Sequence, residues 1–528
     1  MNKNLTKYII EVAIVFIATF GIFYALETNS ENPYFSGYDS FYHVGMAEYI
    51  MHNGLPHQFP YMYFTTLNAN FTDNHLLFHL LLIPFIFIFG NVIGPKIFIA
   101  LSIGLIFSLL YIILRKFNFQ WALPFTAIAF FLEPSDFYFR QAFIRNPAPS
   151  LLFLLIALYL LSEKRLWLLT ILAFLYGWLY TGGGFLFLLA LLAIYAVVTL
   201  VMKKELNYKL IIFPAVATAL SLVINPYFPE NVKSVFLQVW QTGLQAKQYS
   251  GGEWYPYDTW FWLMISYVPL AIWVVGIIIS LYKRLKIPRI SWTVFFFSIF
   301  LLIMQWKSKR FVEYWPFWAI FSGILLAGKQ IEEWGGNIIH FVIPAKAGIQ
   351  KNTSGSRLFG RDDTKSFSVA RSLSISILVI CFLIAGINYA RTEWVRAWHD
   401  TSSKADFNVD AAREAHQYLI DNSSPGDIVF TDDWDVFPLY FYLNQKDYYI
   451  VGLDPEFMNQ YDPNLYRQFA AISSGMDDTN LERIRDTFHA KWVIVASDHQ
   501  EFHNNLLNNQ KLFKEVFKNK EYFVFQVL

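Results

Sequence analysis

Long apolar runs separated by short polar stretches dominate the first 390 residues of the chain. A helix needs about 20 apolar residues to cross a bilayer, and several of the runs have the length of one or two such helices. The pattern therefore predicts a polytopic helical membrane region. We place its spans at 8–26, 92–114, 121–133, 148–162, 165–180, 184–202, 209–225, 259–282, 290–305, 312–328 and 372–389.

The lysines and arginines between the runs indicate how the spans are oriented. With the N-terminus in the cytoplasm, nearly all the basic clusters fall on the cytoplasmic side, as the positive-inside rule requires. These clusters are Lys3/Lys7, Arg115/Lys116, Lys164/Arg165, Lys203/Lys204, Lys283/Arg284 and Lys329. Counting the apolar run 76–90 as a span would invert the later loops, so we expect it to lie in or dip into the outer interface.

The tail of the chain has a different pattern, in which helix-like and strand-like segments alternate. A helix is predicted at 410–422, and strands are predicted at 427–431, 447–452, 491–497 and 522–528. Such alternation is typical of a small α/β domain. We therefore predict a membrane domain at 1–390, which includes a large external loop at 27–91, and an extracytoplasmic α/β domain at 391–528.

Composition agrees with this division and excludes some functions. The chain is 55% hydrophobic and only 15% charged, whereas soluble proteins have about 25% charged residues. Its net charge of +1 gives no reason to expect a nucleic-acid partner. The single cysteine, Cys381, cannot form an internal disulfide. The N-terminal run is longer than the apolar core of a signal peptide, so we expect an uncleaved first span.

One segment, 341–366, does not fit either domain. It contains "IPAKAGIQ" followed by an arginine- and glycine-containing stretch, and it resembles the translated form of a dispersed bacterial genomic repeat. An insertion is tolerated in a loop, and we expect this one to be disordered and cytoplasmic.

Residues suited to catalysis and phosphate binding are concentrated in the predicted external segments. Arginine can bind a phosphate through two N–H groups, and a carboxylate can act as a general base or a metal ligand. Simpler interpretations remain open: a solvated loop acid, a helix cap, an aromatic interface belt and an acidic surface turn. The candidates are Asp39 and His43 in "GYDSFYHVGM", Asp73 and His75 in "NFTDNHLLFH", Arg140 and Arg145 in "FYFRQAFIRNP", Glu253, Trp254 and Tyr257 in "GGEWYPYDTW", Arg310 in "KSKRFVEY", and Trp434 and Asp435 in "TDDWDVFP".

The order of these stretches resembles that of the oligosaccharyltransferase catalytic subunit family and, more broadly, of the GT-C class of membrane glycosyltransferases. The resemblance covers most of the chain in layout and four short stretches in residues. It implies a GT-C-like fold with about 11–13 transmembrane helices. It also implies the transfer of a sugar or oligosaccharide from a polyprenyl phosphate or diphosphate to a protein or other extracytoplasmic acceptor.

The resemblance assigns roles to individual residues. Asp39 matches the family aspartate that binds a divalent metal and orients the acceptor, and Glu253 matches a glutamate that holds the acceptor side. Arg310 matches an arginine that contacts the lipid-linked phosphate. Trp434 and Asp435 match what remains of a tryptophan-tryptophan-aspartate motif that reads the acceptor.

The second external loop departs from the family pattern. Where the family has an acidic pair that completes the metal site, this chain has Arg140 and Arg145. Three alternatives follow. Asp73 and His75 complete a site for Mg²⁺ or Mn²⁺ with Asp39, the earlier acids Glu133 and Asp136 do so, or the site works without a metal.

The leading hypothesis is thus a multi-pass glycosyltransferase of the inner (plasma) membrane whose partners are a polyprenyl-linked donor, a protein or glycan acceptor and the bilayer. One alternative is a transporter or flippase for lipid-linked glycans, which would carry charged or broken helices at the bilayer midplane. Another is a non-catalytic relative.

Overall fold

The computed structural model describes residues 3–29, 34–239, 252–342, 384–401 and 408–528. Short 3₁₀ turns lie at Gly252–Trp254 and Lys309–Glu313. The helices are α1 Lys3–Glu27, α2 Tyr38–Asn53, α3 Leu76–Phe89, α4 Ile93–Lys116, α5 Ala122–Phe131, α6 Ser135–Gln141, α7 Pro147–Ser162, α8 Leu166–Leu179, α9 Phe185–Val201, α10 Lys209–Val223, α11 Glu230–Phe236, α12 Thr259–Tyr282, α13 Arg289–Lys307, α14 Trp315–Val342, α15 384–401, α16 Val409–Asn422, α17 Phe437–Leu443, α18 Glu456–Tyr461, α19 Pro463–Ser473, α20 Arg483–Asp486 and α21 Gln500–Asn508.

Every predicted span that lies within the described residues is a helix in the structure. Four helices, α1, α4, α12 and α13, are long and apolar enough to cross a membrane, and α3, α5 and α7 to α10 are shorter apolar helices. The run 76–90 is a helix as well, with Pro84 inside it. These features identify a polytopic helical membrane protein.

Two predictions fall partly outside the described residues. Of the segment 341–366, the structure describes only the first two residues, which end α14. The predicted span 372–389 is described only from residue 384, where α15 begins and continues to 401, beyond the predicted end.

Small residues allow the membrane helices to approach closely. A β-carbon on Gly276 of α12 would lie 2.8 Å from the α-carbon of Gly323 of α14. Close backbone contact of this kind supplies the dispersion energy that stabilises helix pairs in lipid. The α12–α14 pair ends near the segments that carry Glu253 and Arg310.

The C-terminal domain contains a five-stranded mixed sheet with the strand order β2-β1-β3-β5-β4. Strands β1 and β3 are parallel, and β5 pairs antiparallel with both β3 and β4. All four predicted strands are present, but β4 was not predicted, because its sequence "FKEVFK" lacks strict alternation. The strands are β1 Ile428–Thr431, β2 Tyr448–Tyr449, β3 Trp492–Ala496, β4 Phe513–Lys518 and β5 Tyr522–Val527.

This domain packs on segments that connect the apolar helices. Residues 61–64 run along β2, where the backbone N–H of Tyr63 donates to the carbonyl of Tyr449 at 2.8 Å. Helix α17 lies against α2, and a β-carbon on Gly45 would lie 3.3 Å from the Phe441 ring. The carboxyl ends of β1 and β3 therefore lie close to the first turn of α2.

Candidate functional site

The first turn of α2 presents Asp39 at the edge of the C-terminal domain. Gly37 precedes the helix with φ +70°, and a β-carbon there would lie 2.6 Å from the ring of Phe143, so both the backbone conformation and the space require glycine. The Ser40 hydroxyl accepts a hydrogen bond from the backbone of Ile144 at 2.9 Å. These contacts fix the turn after α6 beside Asp39.

Helix α6 and that turn supply Arg140 and Arg145, which pair with carboxylates from three other segments. Arg145 donates to Asp39 Oδ2 at 2.9 Å and also to Glu313. Arg140 donates from Nε to Glu313 at 2.7 Å and from Nη2 to Glu253 at 2.8 Å. The side chains of Arg145 and Glu313 are only 4% and 3% exposed, so this is a buried network.

Arg310 completes the cluster from the other side. Its Nη1 lies 3.1 Å from Glu253 Oε1, and its guanidinium stacks over the Trp254 ring at 4.6 Å. Glu253 Oε2 in turn lies 3.8 Å from Arg145. Asp39 and Arg310 are therefore joined through Arg145 and Glu253, although 270 sequence positions separate them.

The network fixes the charge of its members. Burial acts to raise the pKa of Glu253, but Arg310, Arg140 and Arg145 outweigh it and hold that pKa well below the ordinary value. Burial acts to lower the pKa of Arg140, but Glu313 and Glu253 raise it above the ordinary value. Three carboxylates thus face three guanidinium groups, and the shifted pKa values keep Glu253 and Arg140 ionised.

This arrangement does not fit a divalent metal at Asp39. Its carboxylate and those of Glu253 and Glu313 are already engaged by guanidinium groups, which supply the positive charge that a metal would bring. The other predicted ligands do not join it. Asp73 accepts from the ring of His79 at 2.7 Å and from the backbone of His75 at 2.8 Å.

Of the other residues predicted for the metal set, His75 and Asp136 have partners outside the arginine cluster. His75 contacts the Asn146 amide through its ring nitrogen. Asp136 accepts from the Tyr257 hydroxyl at 2.6 Å. Both carboxylate oxygens of Glu133 are buried without a partner among the described residues. The combination of Asp39, Asp73 and His75 as a metal site is not assembled in the structure.

The carboxyl ends of β1 and β3 form an acidic edge that faces α2. Burial raises the pKa of Asp435 to about 7, with contributions from Asp433, Asp432 and, across the domain boundary, Asp39. The Trp434 ring packs instead against the core of the C-terminal domain. Within the described residues, the ligand atoms of Asp432, Asp498 and His499 lie within 4.8 Å of one another, which makes them a candidate cation site.

The raised pKa of Asp435 predicts a pH-dependent stability. An acid with a folded pKa of about 7 and an unfolded pKa of about 3.9 binds its proton more tightly in the folded state, so stability falls as pH rises from 4 to 7. We expect Asp435→Asn to raise the free energy of unfolding by about 1 kcal/mol at pH 8, after discounting for solvent screening, and by much less at pH 4.5. Thermal melts at the two pH values measure this difference, and an equal effect at both would contradict the assignment.

Three residues of the cluster region were not predicted as site residues. Glu313 and His79 are both buried. His79 is a lone ionisable group in an apolar run, which is the signal that marks it, whereas Glu313 follows the basic stretch 307–310 and has no such signal. Asp454 follows β2 in a sequence typical of a turn, and its carboxylate does accept from the backbone of Glu456 at 2.9 Å. Burial, together with Glu456 and Glu253, raises the pKa of Asp454 to about 6, although Arg310 opposes the shift.

Comparisons with known proteins match the fold of this chain. No family model and no curated protein matches the sequence. The oligosaccharyltransferase AglB from Archaeoglobus fulgidus, in complex with an inhibitory peptide and a dolichol-phosphate, has a TM-score of 0.62 and 15% identity, over 93% of this chain and 70% of that chain. ArnT from Cupriavidus metallidurans bound to undecaprenyl phosphate has a TM-score of 0.53 and 14% identity, over 97% of both chains.

An Archaeoglobus fulgidus oligosaccharyltransferase in complex with Zn and sulfate matches with a TM-score of 0.57 and 13% identity, over 97% of this chain and 73% of that chain. At such identities the likeness is one of fold. It confirms the predicted fold class and the resemblance at that level. The chain has the GT-C membrane glycosyltransferase fold of the oligosaccharyltransferase AglB and of ArnT.

Proposed function

We propose that this protein transfers a sugar or oligosaccharide from a polyprenyl phosphate or diphosphate to a protein or other acceptor outside the cytoplasm. The observation that carries the proposal is the convergence of Asp39, Glu253 and Arg310 with Arg140 and Arg145 beneath the C-terminal domain. We infer the orientation from the basic loops: the protein lies in the inner membrane with its N-terminus in the cytoplasm.

Arg310 is the residue best placed to bind the donor phosphate. Its side chain is 24% exposed. Its guanidinium contacts Glu253 through Nη1 and lies over the face of the Trp254 ring. Its other N–H groups have no partner among the described residues, so they remain for phosphate oxygens. Preorganised cations directed at the leaving group stabilise the charge that develops as the glycosidic bond breaks.

The opposite side of the cluster is suited to the acceptor. The Asp39 side chain is 45% exposed and lies between Arg145 and the acidic edge of the C-terminal domain. A carboxylate there can accept a hydrogen bond from an acceptor hydroxyl or amide. The charged groups lie in connecting segments beside the C-terminal domain, which favours a transferase over a transporter with charges at the bilayer midplane.

The donor assignment is tested by binding before any acceptor is known. In nanodiscs, undecaprenyl phosphate is expected to raise the melting temperature of the protein, whereas undecaprenol, which lacks the phosphate, is not. Arg310→Gln should remove the difference between the two lipids. An equal response to both lipids in the wild-type protein would contradict phosphate recognition.

Transfer is expected to be independent of divalent metal, because guanidinium groups occupy the carboxylates that a metal would need. Reconstituted protein is given radiolabelled polyprenyl phosphate- and diphosphate-linked sugars with a membrane-protein extract as acceptor. The initial rate should change less than about twofold when EDTA is added. A loss of transfer in EDTA that Mn²⁺ restores would show that a metal site has been missed.

A further inference from the structure

A chain of three buried side chains lies beneath α2 and ends at the arginine cluster. His43 Nδ1 lies 2.8 Å from His79 Nε2, and His79 Nδ1 lies 2.7 Å from Asp73 Oδ2. Asp73 and His79 are 1% and 0% exposed. The proposed function above uses neither of them.

The partners of Asp73 determine where the protons of this chain lie. An ionised carboxylate only accepts hydrogen bonds, and Asp73 accepts from the His75 backbone and from His79 Nδ1. This contact requires a proton on His79 Nδ1, and the Nδ1–H tautomer of His79 has a lone pair on Nε2. That lone pair accepts the Nδ1–H of His43, so His43 keeps a lone pair on Nε2.

The Nε2 atom of His43 is the open end of the chain. It has no partner among the described residues and is not one of their fully buried unpaired polar atoms, although His43 as a whole is only 5% exposed. His43 follows Asp39 by four residues on α2, which places both on one face of the helix.

Neighbouring groups keep His43 neutral. Burial lowers its pKa well below the ordinary value, and His75, His79, Arg145 and Arg310 lower it further. Asp39, on the same helix, already pairs with Arg145 at 2.9 Å. A neutral imidazole with a free lone pair beside a phosphate-binding cluster can act as a base.

We propose that His43 Nε2 accepts the proton of the acceptor group during transfer, and that His79 and Asp73 position it; this role rests on the proposed function. As the acceptor atom bonds to the anomeric carbon, its proton moves to His43 Nε2. The bond from that carbon to the phosphate oxygen breaks, and its electron pair leaves with the polyprenyl phosphate or diphosphate. The His43 imidazolium keeps its hydrogen bond from Nδ1 to His79 Nε2. The Asp73 carboxylate, which is bonded to the far side of His79, stabilises the positive charge.

The neutral state of His43 is tested without any donor. Diethyl pyrocarbonate acylates unprotonated imidazole nitrogens, and peptide mass spectrometry gives the rate at each histidine of the full chain in nanodiscs. Between pH 7.5 and 5.5, free Nα-acetylhistidine should lose about tenfold in rate because its pKa is about 6.5. His43 should lose less than about twofold.

Asp73→Asn tests the positioning role with a side chain of the same shape. The single amide oxygen accepts from the His75 backbone, so the amide N–H faces His79. His79 Nδ1 must then accept, and His79 Nε2 donates to His43 Nδ1. His43 then carries its proton on Nε2, and we expect its acylation rate to fall at least about tenfold. The matched control is His52→Gln, because His52 is exposed at the far end of the same helix.

Transfer rates test the catalytic role. His43→Gln should lower kcat at least about 100-fold with little change in KM for the donor, since the phosphate contacts are retained. A tenfold fall in acylation of wild-type His43 on acidification, or full transfer by His43→Gln, would overturn the inference. Absence of transfer in the wild-type protein would instead overturn the proposed function, and the two failures are thus distinguishable.

Discussion

Asp39→Asn is expected to lower the rate of sugar transfer by at least about 100-fold without changing the binding of undecaprenyl phosphate. The carboxylate accepts from Arg145 at 2.9 Å and is the exposed acid of the cluster. Asparagine keeps the shape of the side chain, but it loses the charge that orients the acceptor and balances Arg145. Loss of a positioned charged group at a reacting centre costs about 10²–10⁴ in rate.

The measurement is the initial rate of transfer by reconstituted protein, together with the melting-temperature shift caused by undecaprenyl phosphate. The control is Asp421→Asn, because Asp421 is exposed on α16 and, among the residues that the structure describes, its side chain accepts only from Gln417 of the same helix. It should transfer at the wild-type rate. Full activity of Asp39→Asn would show that Asp39 takes no part in the reaction and that its pairing with Arg145 is structural.

The spans were predictable because the thickness of the bilayer sets both the length of an apolar run and the length of the helix that it forms. The run 259–282 has the same bounds as α12, and the run 184–202 differs from α9 by one residue at each end. Helices α2 and α6 were not predicted, since they lie in polar external segments where no long apolar run marks them. Their positions depend on tertiary contacts such as that of Gly37 with Phe143.

The members of the site were largely visible in the sequence, but their pairing was not. Arg140 meets Glu313 across 173 positions and Glu253 across 113, and no local pattern encodes such contacts. The sequence showed that Arg140 and Arg145 stand where acids were expected. It could not show that these arginines neutralise the carboxylates that a metal would need, because that depends on distances between distant segments.

The same reasoning applies to Asp73. Asp73 lies two residues before His75. This spacing suits either a metal site or a helix cap, and the sequence left both interpretations open. In the structure one oxygen accepts from the backbone N–H of His75, just before α3 begins, and the other binds the ring of His79 in α3. A histidine in the apolar run "LLFHLLL" was the available signal, because an ionisable group in such surroundings requires a partner.

The network that builds the site also makes Glu313 the residue whose charge matters most to stability. Glu313 accepts from Arg140 and Arg145, and its side chain is 3% exposed. Removing one partner of a buried ion pair leaves an uncompensated charge and costs about 3–5 kcal/mol. Because Arg140 keeps Glu253 and Arg145 keeps Asp39, we expect Glu313→Gln to cost about 3 kcal/mol, at the low end of this range.

Unfolding in mixed micelles of increasing SDS content measures this free energy. Glu230→Gln is the matched control: Glu230 pairs with Lys233 at 2.6 Å, but the lysine side chain is 64% exposed. Exposed pairs contribute about 0–1 kcal/mol, so this variant should unfold almost as the wild type does.

A double-mutant cycle separates the charge from the packing. If Glu313 acts through its charge, Arg145→Gln in the Glu313→Gln background should cost less than it does alone, since the unpaired guanidinium has then been removed. Additive losses would mean that Glu313 supports the turn between α13 and α14 by shape, with Gln141 bonded to its backbone carbonyl at 2.7 Å. In that case the three arginines would hold their positions without it, and donor binding should survive the substitution.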